Sequence, residues 1–245
     1  MIQTFDAIVL KPMPFDEGGL VVSFLTDLGE RVSGVARGAK KPVAKWVSAF
    51  EPLSTVRVSF FGKEHSELRR VTRCELHHSP MSLGHLESGL AIACLADLAD
   101  RIAKEGLEDP RLFRLASACS RAFGTQPDRS LSILAYGEHW LLYCMGLLPN
   151  PAACGNCGRD DTPFASLSES GWRCTACVTT DSRFFLPDGT KEHLQKMRTS
   201  KPEDAPMASE SEASKAVTQL LRSRLLDELG MLKSYKVLFK VLGAG

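Results

Sequence analysis

The sequence predicts an α+β multidomain protein: a small N-terminal β-barrel, an α-helical remainder, and a four-cysteine module inserted among the helices. Three observations carry this. Short Val-, Ile- and Phe-rich runs separated by Gly, Pro and Asp turns fill residues 1–78. From Ser79-Pro80 onward, apolar residues recur every three or four positions. Cys154 and Cys157 then form one C-x2-C pair, and Cys174 and Cys177 a second, sixteen residues later.

The strands are expected at Phe5–Leu10, Leu20–Thr26, Glu30–Gly38, Leu53–Phe61 and Glu67–Leu76. Val56, Val58 and Phe60 alternate with Arg57 and Ser59, the period of a half-buried strand. Five strands with one long gap, Lys41–Phe50, suit an OB-fold, although spacing alone leaves an SH3-like barrel nearly as good. Phe60, Phe61 and Trp46 are aromatics that could stack on bases, but core packing is the expected duty of the two phenylalanines.

The first helix is expected to bury Leu83, Leu86, Leu90, Cys94, Leu95, Leu98 and Ile102 before Gly106 ends it. The second has Asp109 as N-cap and Pro110 at its first position, with Leu112, Ala116, Cys119 and Phe123 inward. The third runs from about Ser130 to Leu147, with Leu131, Leu134, Leu141, Leu142 and Met145 inward, until Pro149 stops it; His139 reads as a structural residue. Lys201–Ser214, rich in Pro, Ser and Glu, reads as a linker unable to bury much. Val217, Leu221, Leu225, Leu229 and Leu232 mark a last helical segment, with Arg222, Arg224, Lys233, Lys236 and Lys240 outside. The corresponding division is a barrel at 1–78, a helical domain at 79–150 and 178–245, and a zinc module at 151–177.

Four thiolates in two knuckles match the tetrahedral sulfur set that zinc prefers, and Gly155 and Gly158 permit the turns. Four protein ligands leave no open position, so one structural Zn2+ per chain is expected. Cys74, Cys94, Cys119 and Cys144 lie singly in apolar contexts and read as small buried hydrophobes. With no apolar leader or membrane-length run, the expected location is the cytoplasm, where cysteine clusters hold metal.

The net charge of +1 conceals an asymmetry. Residues 1–30 carry −4, residues 31–73 carry ten Lys or Arg against three acids for +7, and the rest carries −2. Such a segment attracts a polyanion. Its centre is the loop Gly34–Pro42 with Arg37, Lys40 and Lys41, followed by Lys45; a second cluster is Lys63, Arg69, Arg70 and Arg73. The loop is no nucleotide-binding P-loop, since only three residues separate its glycines and no hydroxyl follows its lysines. His85-Leu86-Glu87 before a C-x2-C imitates a zinc deaminase. However, two alanines separate Pro151 from Cys154, and four cysteines already complete a coordination shell. No convincing catalytic constellation emerges, which favours a binding protein over a zinc-dependent nucleic-acid enzyme, with a zinc-containing transcription or RNA-binding factor as the other alternative.

Several stretches in order carry a resemblance. They are Asp6-Ala7-Ile8-Val9-Leu10, Phe24-Leu25-Thr26 with Gly29, Gly34–Pro42, Leu141-Leu142 with Gly146, Pro151 with Cys154, Cys157 and Gly158, and Leu232-Lys233-Ser234. Together they resemble the RecO family of bacterial recombination mediators from end to end. The chain departs at Phe15-Asp16-Glu17, where the family usually has Tyr-Gly-Glu, and in lacking a serine between Pro42 and Lys45. The resemblance implies an OB-fold, a helical domain and a zinc module. It also implies binding of single- and double-stranded DNA at the nucleoid, strand annealing, and loading of RecA onto DNA coated with single-strand-binding protein, together with RecR. The acidic, apolar tail of single-strand-binding protein would then meet Arg222, Arg224, Lys233 and Lys236.

Overall fold

A computed structural model describes residues 2–39, 47–62, 69–81, 84–148, 153–162, 164–166, 171–178 and 184–243. The chain divides into two compact units, residues 1–130 with 232–245, and residues 131–231.

The first unit begins with the barrel. Its strands are β1 (Ile2–Phe15), β2 (Gly19–Thr26), β3 (Arg31–Ala36), β4 (Thr55–Phe61) and β5 (Arg69–His78), closed in the order β1-β2-β3-β5-β4. All neighbours are antiparallel except β3 and β5, which run parallel with Gly34 opposite Arg69 and Val35 opposite Arg70. That order and its parallel closure are of the OB type and decide against the SH3-like alternative.

The inward residues are those that the alternation demands. Val9, Val22, Phe24, Val32, Val56, Val58, Phe60 and Val71 form the core, with Phe60 meeting Phe24 at 5.6 Å and Phe5 at 6.1 Å between ring centroids. Gly34 makes the closure possible, because a Cβ there would lie 2.6 Å from the Phe60 ring and 2.8 Å from Val71. β1 is longer than expected. A bulge between Val9 and Lys11 lets it pair with β4 over residues 2–8 and with β2 over residues 7–15. Pro12 and Pro14 are tolerated because that stretch pairs on one side only.

Helices α1 (Leu86–Ile102), α2 (Pro110–Thr125) and α6 (Lys233–Leu242) complete this unit. Cys94, Leu95 and Leu98 are buried on α1, and Leu112, Ala116, Cys119 and Phe123 on α2. Leu86, expected inside, is 67% exposed as the first residue of its helix. Asp109 caps α2, accepting the Arg111 amide at 3.1 Å while the Arg111 guanidinium grips its carboxylate. This grip, first among the causes, lowers the Asp109 pKa. α1 is tied to the barrel through Lys11 to Asp97 at 3.0 Å and the Ser23 hydroxyl donating to Asp100 at 2.7 Å.

In the second unit, α3 (Ser130–Cys144) is buried on nearly every side from Ser132 to His139. A three-stranded sheet of β6 (Phe164–Ser166), β7 (Gly171–Arg173) and β8 (Phe184–Phe185) is ordered β7-β6-β8. α4 (Thr190–Thr199), not anticipated, buries His193, Leu194 and Met197. The supposed linker is packed: Pro202, Ala205 and Ala208 are buried, and the Ala208 amide donates to Ser132 Oγ at 3.0 Å. Ser211 then starts α5 (Glu212–Leu229) through a reciprocal capping box with Ser214. The last helical segment is two helices rather than one, separated at Gly230, whose φ of 78° no other residue adopts readily.

Candidate metal centre and nucleic-acid surface

The four cysteines of the two knuckles converge. The sulfurs of Cys154, Cys157, Cys174 and Cys177 all lie within 4.8 Å of one another, and those of Cys157 and Cys174 are 3.6 Å apart. A tetrahedral ion with metal–sulfur bonds of about 2.3 Å spaces its ligands by about 3.8 Å, so the four sulfurs stand close to the spacing such an ion needs. Local backbone geometry builds it. Gly158 takes φ 76° and donates to the Cys154 carbonyl at 2.9 Å, closing the first knuckle. Cys177 and Val178 both donate to the Cys174 carbonyl at 3.0 Å, closing the second.

The β6–β7 hairpin delivers the second knuckle, with Phe164 opposite Arg173 and Ser166 opposite Gly171. It is pinned to the first by the Gly155 amide, which donates to the Trp172 carbonyl at 2.9 Å over a buried indole. Backbone amides, that of Cys174 foremost and then Asn156, hold the Cys154 thiol down at about 6. The Arg159 amide pulls Cys157 down, but hydrogen bonds to the other three thiols, that of Cys174 foremost, outweigh it and hold Cys157 at about 11. Thiols this close do not ionise independently, and the crowding of negative charge among them is what a cation relieves. Of the remaining cysteines, Cys74, Cys94 and Cys119 are buried and Cys144 is half-buried; burial first, then Glu75, pushes Cys74 up to about 12.

The cations of the barrel are less uniform than their number suggests. Arg37, just after β3, and Arg70, on β5, face solvent. Arg73 is exposed but bound to Glu75 through both Nε and Nη2. Arg69, expected in the surface cluster, is buried, and its Nη1 donates to Gln3 at 3.0 Å. It occupies an inward position of β5, so alternation turns it away from any external ligand. Lys40, Lys41, Lys45 and Lys63 lie outside the described residues, as does Trp46. Phe61 corrects the expectation of core packing, being 55% exposed on β4. The signal was available, since Val56, Val58 and Phe60 point inward and Phe61 is the next residue.

The four cations expected to meet a partner are divided between two helices. Arg222 on α5 is committed internally: its Nε donates at 2.9 Å to Glu138, a fully buried carboxylate on α3. Arg224 is half-buried, whereas Lys233 and Lys236 on α6 are exposed. His139, beside Glu138 on α3, is fully buried, and burial, then the charges of Arg198 and His193, lowers its pKa to about 4. It is a neutral core residue, as expected. No described helix is long and apolar enough to cross a membrane.

Known proteins are similar to this chain over most of its length. Residues 1–80 match the family described as Recombination protein O N terminal, and residues 85–233 match Recombination protein O C terminal. The DNA repair protein RecO of Koribacter versatilis is 32% identical over 177 residues, covering 71% of this chain and 72% of its own length. That of Anaeromyxobacter dehalogenans is 28% identical over 92% of this chain and 96% of its own. That of Bacillus subtilis is 28% identical over 74% and 71%. With both halves matched and the barrel, helices and cysteine cluster in their expected order, the chain belongs to the RecO family of DNA repair proteins.

Proposed function

We propose that this protein is a recombination mediator that binds single- and double-stranded DNA, anneals complementary strands, and helps load RecA onto DNA coated with single-strand-binding protein, acting with RecR at the nucleoid. The observation that carries this is the OB-type barrel displaying Arg37 and Arg70 within the segment of net charge +7, in a chain of this family. Arg37, Lys40, Lys41, Lys45, Lys63 and Arg70 bind phosphates, with Arg73 joining them once Glu75 releases it. Their chemistry is cationic and sequence-neutral, lacking the Asn and Gln that read base edges. The mediator acts stoichiometrically, without catalytic turnover.

The cysteine cluster holds one Zn2+ through Cys154, Cys157, Cys174 and Cys177, and the ion is structural because four thiolates close its coordination shell. The functional division is a DNA-binding barrel at 1–78, helical segments at 79–150 and 178–245, and the zinc module at 151–177. The acidic tail of single-strand-binding protein docks on the helical segments, where the exposed Lys233 and Lys236 of α6 are candidates to receive its carboxylates. The test is annealing of complementary strands coated with single-strand-binding protein. Acceleration at near-stoichiometric protein supports the proposal, and no acceleration over the uncatalysed rate rejects it.

A further inference from the structure

On the outer face of β1, β4 and β5, three side chains line up across neighbouring strands. Phe61 on β4 lies opposite Ile2 on β1 and opposite Arg70 on β5. All three are exposed, Ile2 at 64% and Phe61 at 55%. Among the described residues, Phe61 makes no ring contact and Arg70 no ion pair. The next rows along the same strands differ. Thr4 and Ser59 hydrogen-bond to each other at 2.9 Å, Arg57 lies 3.9 Å from Asp6, and Arg73 is held by Glu75. Polar groups there satisfy one another, whereas an exposed aromatic face and an exposed guanidinium are left side by side at one end.

An exposed phenyl ring beside an exposed cation complements a nucleotide, which has an apolar base face and an anionic phosphate. Phe61 and Arg70 are one strand spacing apart, about 4.8 Å, within the span of a single nucleotide. Ile2 on the other side of the ring extends the apolar floor. In a duplex the base faces already stack on each other, so a ring on the protein surface gains nothing from them. An unpaired strand has them to offer. Resting on the reading of the barrel as a DNA-binding element, we infer that Phe61 stacks on a base of single-stranded DNA while Arg70 takes the adjoining phosphate. This patch makes the barrel discriminate unpaired from paired strands, a distinction that the loop cations, which see phosphates in both, do not draw.

Fluorescence anisotropy with the full chain tests this, using a labelled oligothymidylate and a labelled hairpin duplex. Phe61→Ala weakens binding to oligothymidylate about tenfold and leaves the duplex affinity and the salt dependence unchanged, since no phosphate contact is lost. Phe61→Trp keeps the affinity, and Phe61→Leu, which retains apolar bulk without a π-face, does not. Arg70→Ala weakens both and lowers the single-strand salt slope by about 0.7. Unchanged oligothymidylate binding in Phe61→Ala, equal losses on both DNAs, or full affinity in Phe61→Leu overturns the inference. So does a Phe61→Ala protein whose sole change is lost self-association in sedimentation, which assigns the patch to a second copy of the chain. Failure of the native protein to bind either DNA overturns the underlying reading of the barrel instead.

Discussion

The Ser120 hydroxyl on α2 donates a 2.8 Å hydrogen bond to the carbonyl of Leu53, a fully buried residue whose backbone sits at φ 59°. A β-carbon in the left-handed region is costly, so the surroundings must fix it. They do so from both sides, because the Leu53 amide donates to Val9 and the Val9 amide to Ser54, at 2.8 and 2.9 Å. One helix of the first unit thus secures the turn that feeds β4.

Ser120→Ala removes that donor and leaves the Leu53 carbonyl short of a partner in a dry environment. A loss of about 1–3 kcal/mol is expected, read as a lower midpoint in urea unfolding. Leu53→Gly should cost less than burial of the leucine side chain alone predicts, since relief of backbone strain offsets part of the loss.

Arg222→Ala leaves the Glu138 carboxylate, fully buried on α3, without its guanidinium. Destabilisation of about 3–5 kcal/mol is expected. The replacement should reduce any partner binding through unfolding, so thermal melting has to accompany any binding assay on this variant.

For the metal, elemental analysis of protein prepared without chelators should give one zinc per chain. Cys154→Ser should lower that occupancy and speed hydrogen exchange in residues 154–177 while exchange in the barrel is unchanged. Metal-free native protein with a protected cysteine module would contradict the assignment.

Affinity for DNA should depend steeply on salt. If both lysines contact phosphates, Lys40→Ala with Lys41→Ala should flatten the slope of log K against log salt on single strands by roughly 1.4. The loss should be the same for unrelated sequences, and annealing should fall in parallel. An unaltered slope with normal annealing would remove these lysines from the interface.

Stability should also depend on pH through His139. Its folded pKa, about 4, lies below the ordinary 6.5, because burial and the nearby Arg198 and His193 disfavour the charged ring. His193 is shifted the same way, by burial and then Lys196. The unfolded chain therefore takes up protons first as the pH falls. Stability from this source is fully present above about 6.5, declines between 6.5 and 4, and levels off below. The span is of the order of 3 kcal/mol. Urea midpoints measured across that window should flatten in His139→Leu, which cannot titrate.

The barrel was legible because a strand in a closed sheet must alternate, and Val56, Val58 and Phe60 reveal which side is in. The cysteine cluster was legible because metal ligation depends on close spacing, which survives in one dimension. What escaped depends on neighbours that sequence does not name. Arg69 counts as a surface charge until Gln3 is found beside it, and Arg222 until Glu138 is. α4 carries only a narrow apolar face among charged residues. The 201–211 stretch packs through small side chains and a backbone bond to Ser132, neither of which has a periodic signature.

The first compact unit is discontinuous: Tyr235 and Leu238 of α6, both fully buried, complete a body that begins at the opposite end of the chain. During synthesis, the barrel, α1 and α2 leave the ribosome with the seat of α6 still open, and they stay so while residues 131–231 are translated. The nascent first unit therefore presents unfinished apolar surface for the time taken to make the whole second unit. A chain stopped just short of α6 keeps that apolar seat uncovered, a state that invites chaperones and proteases.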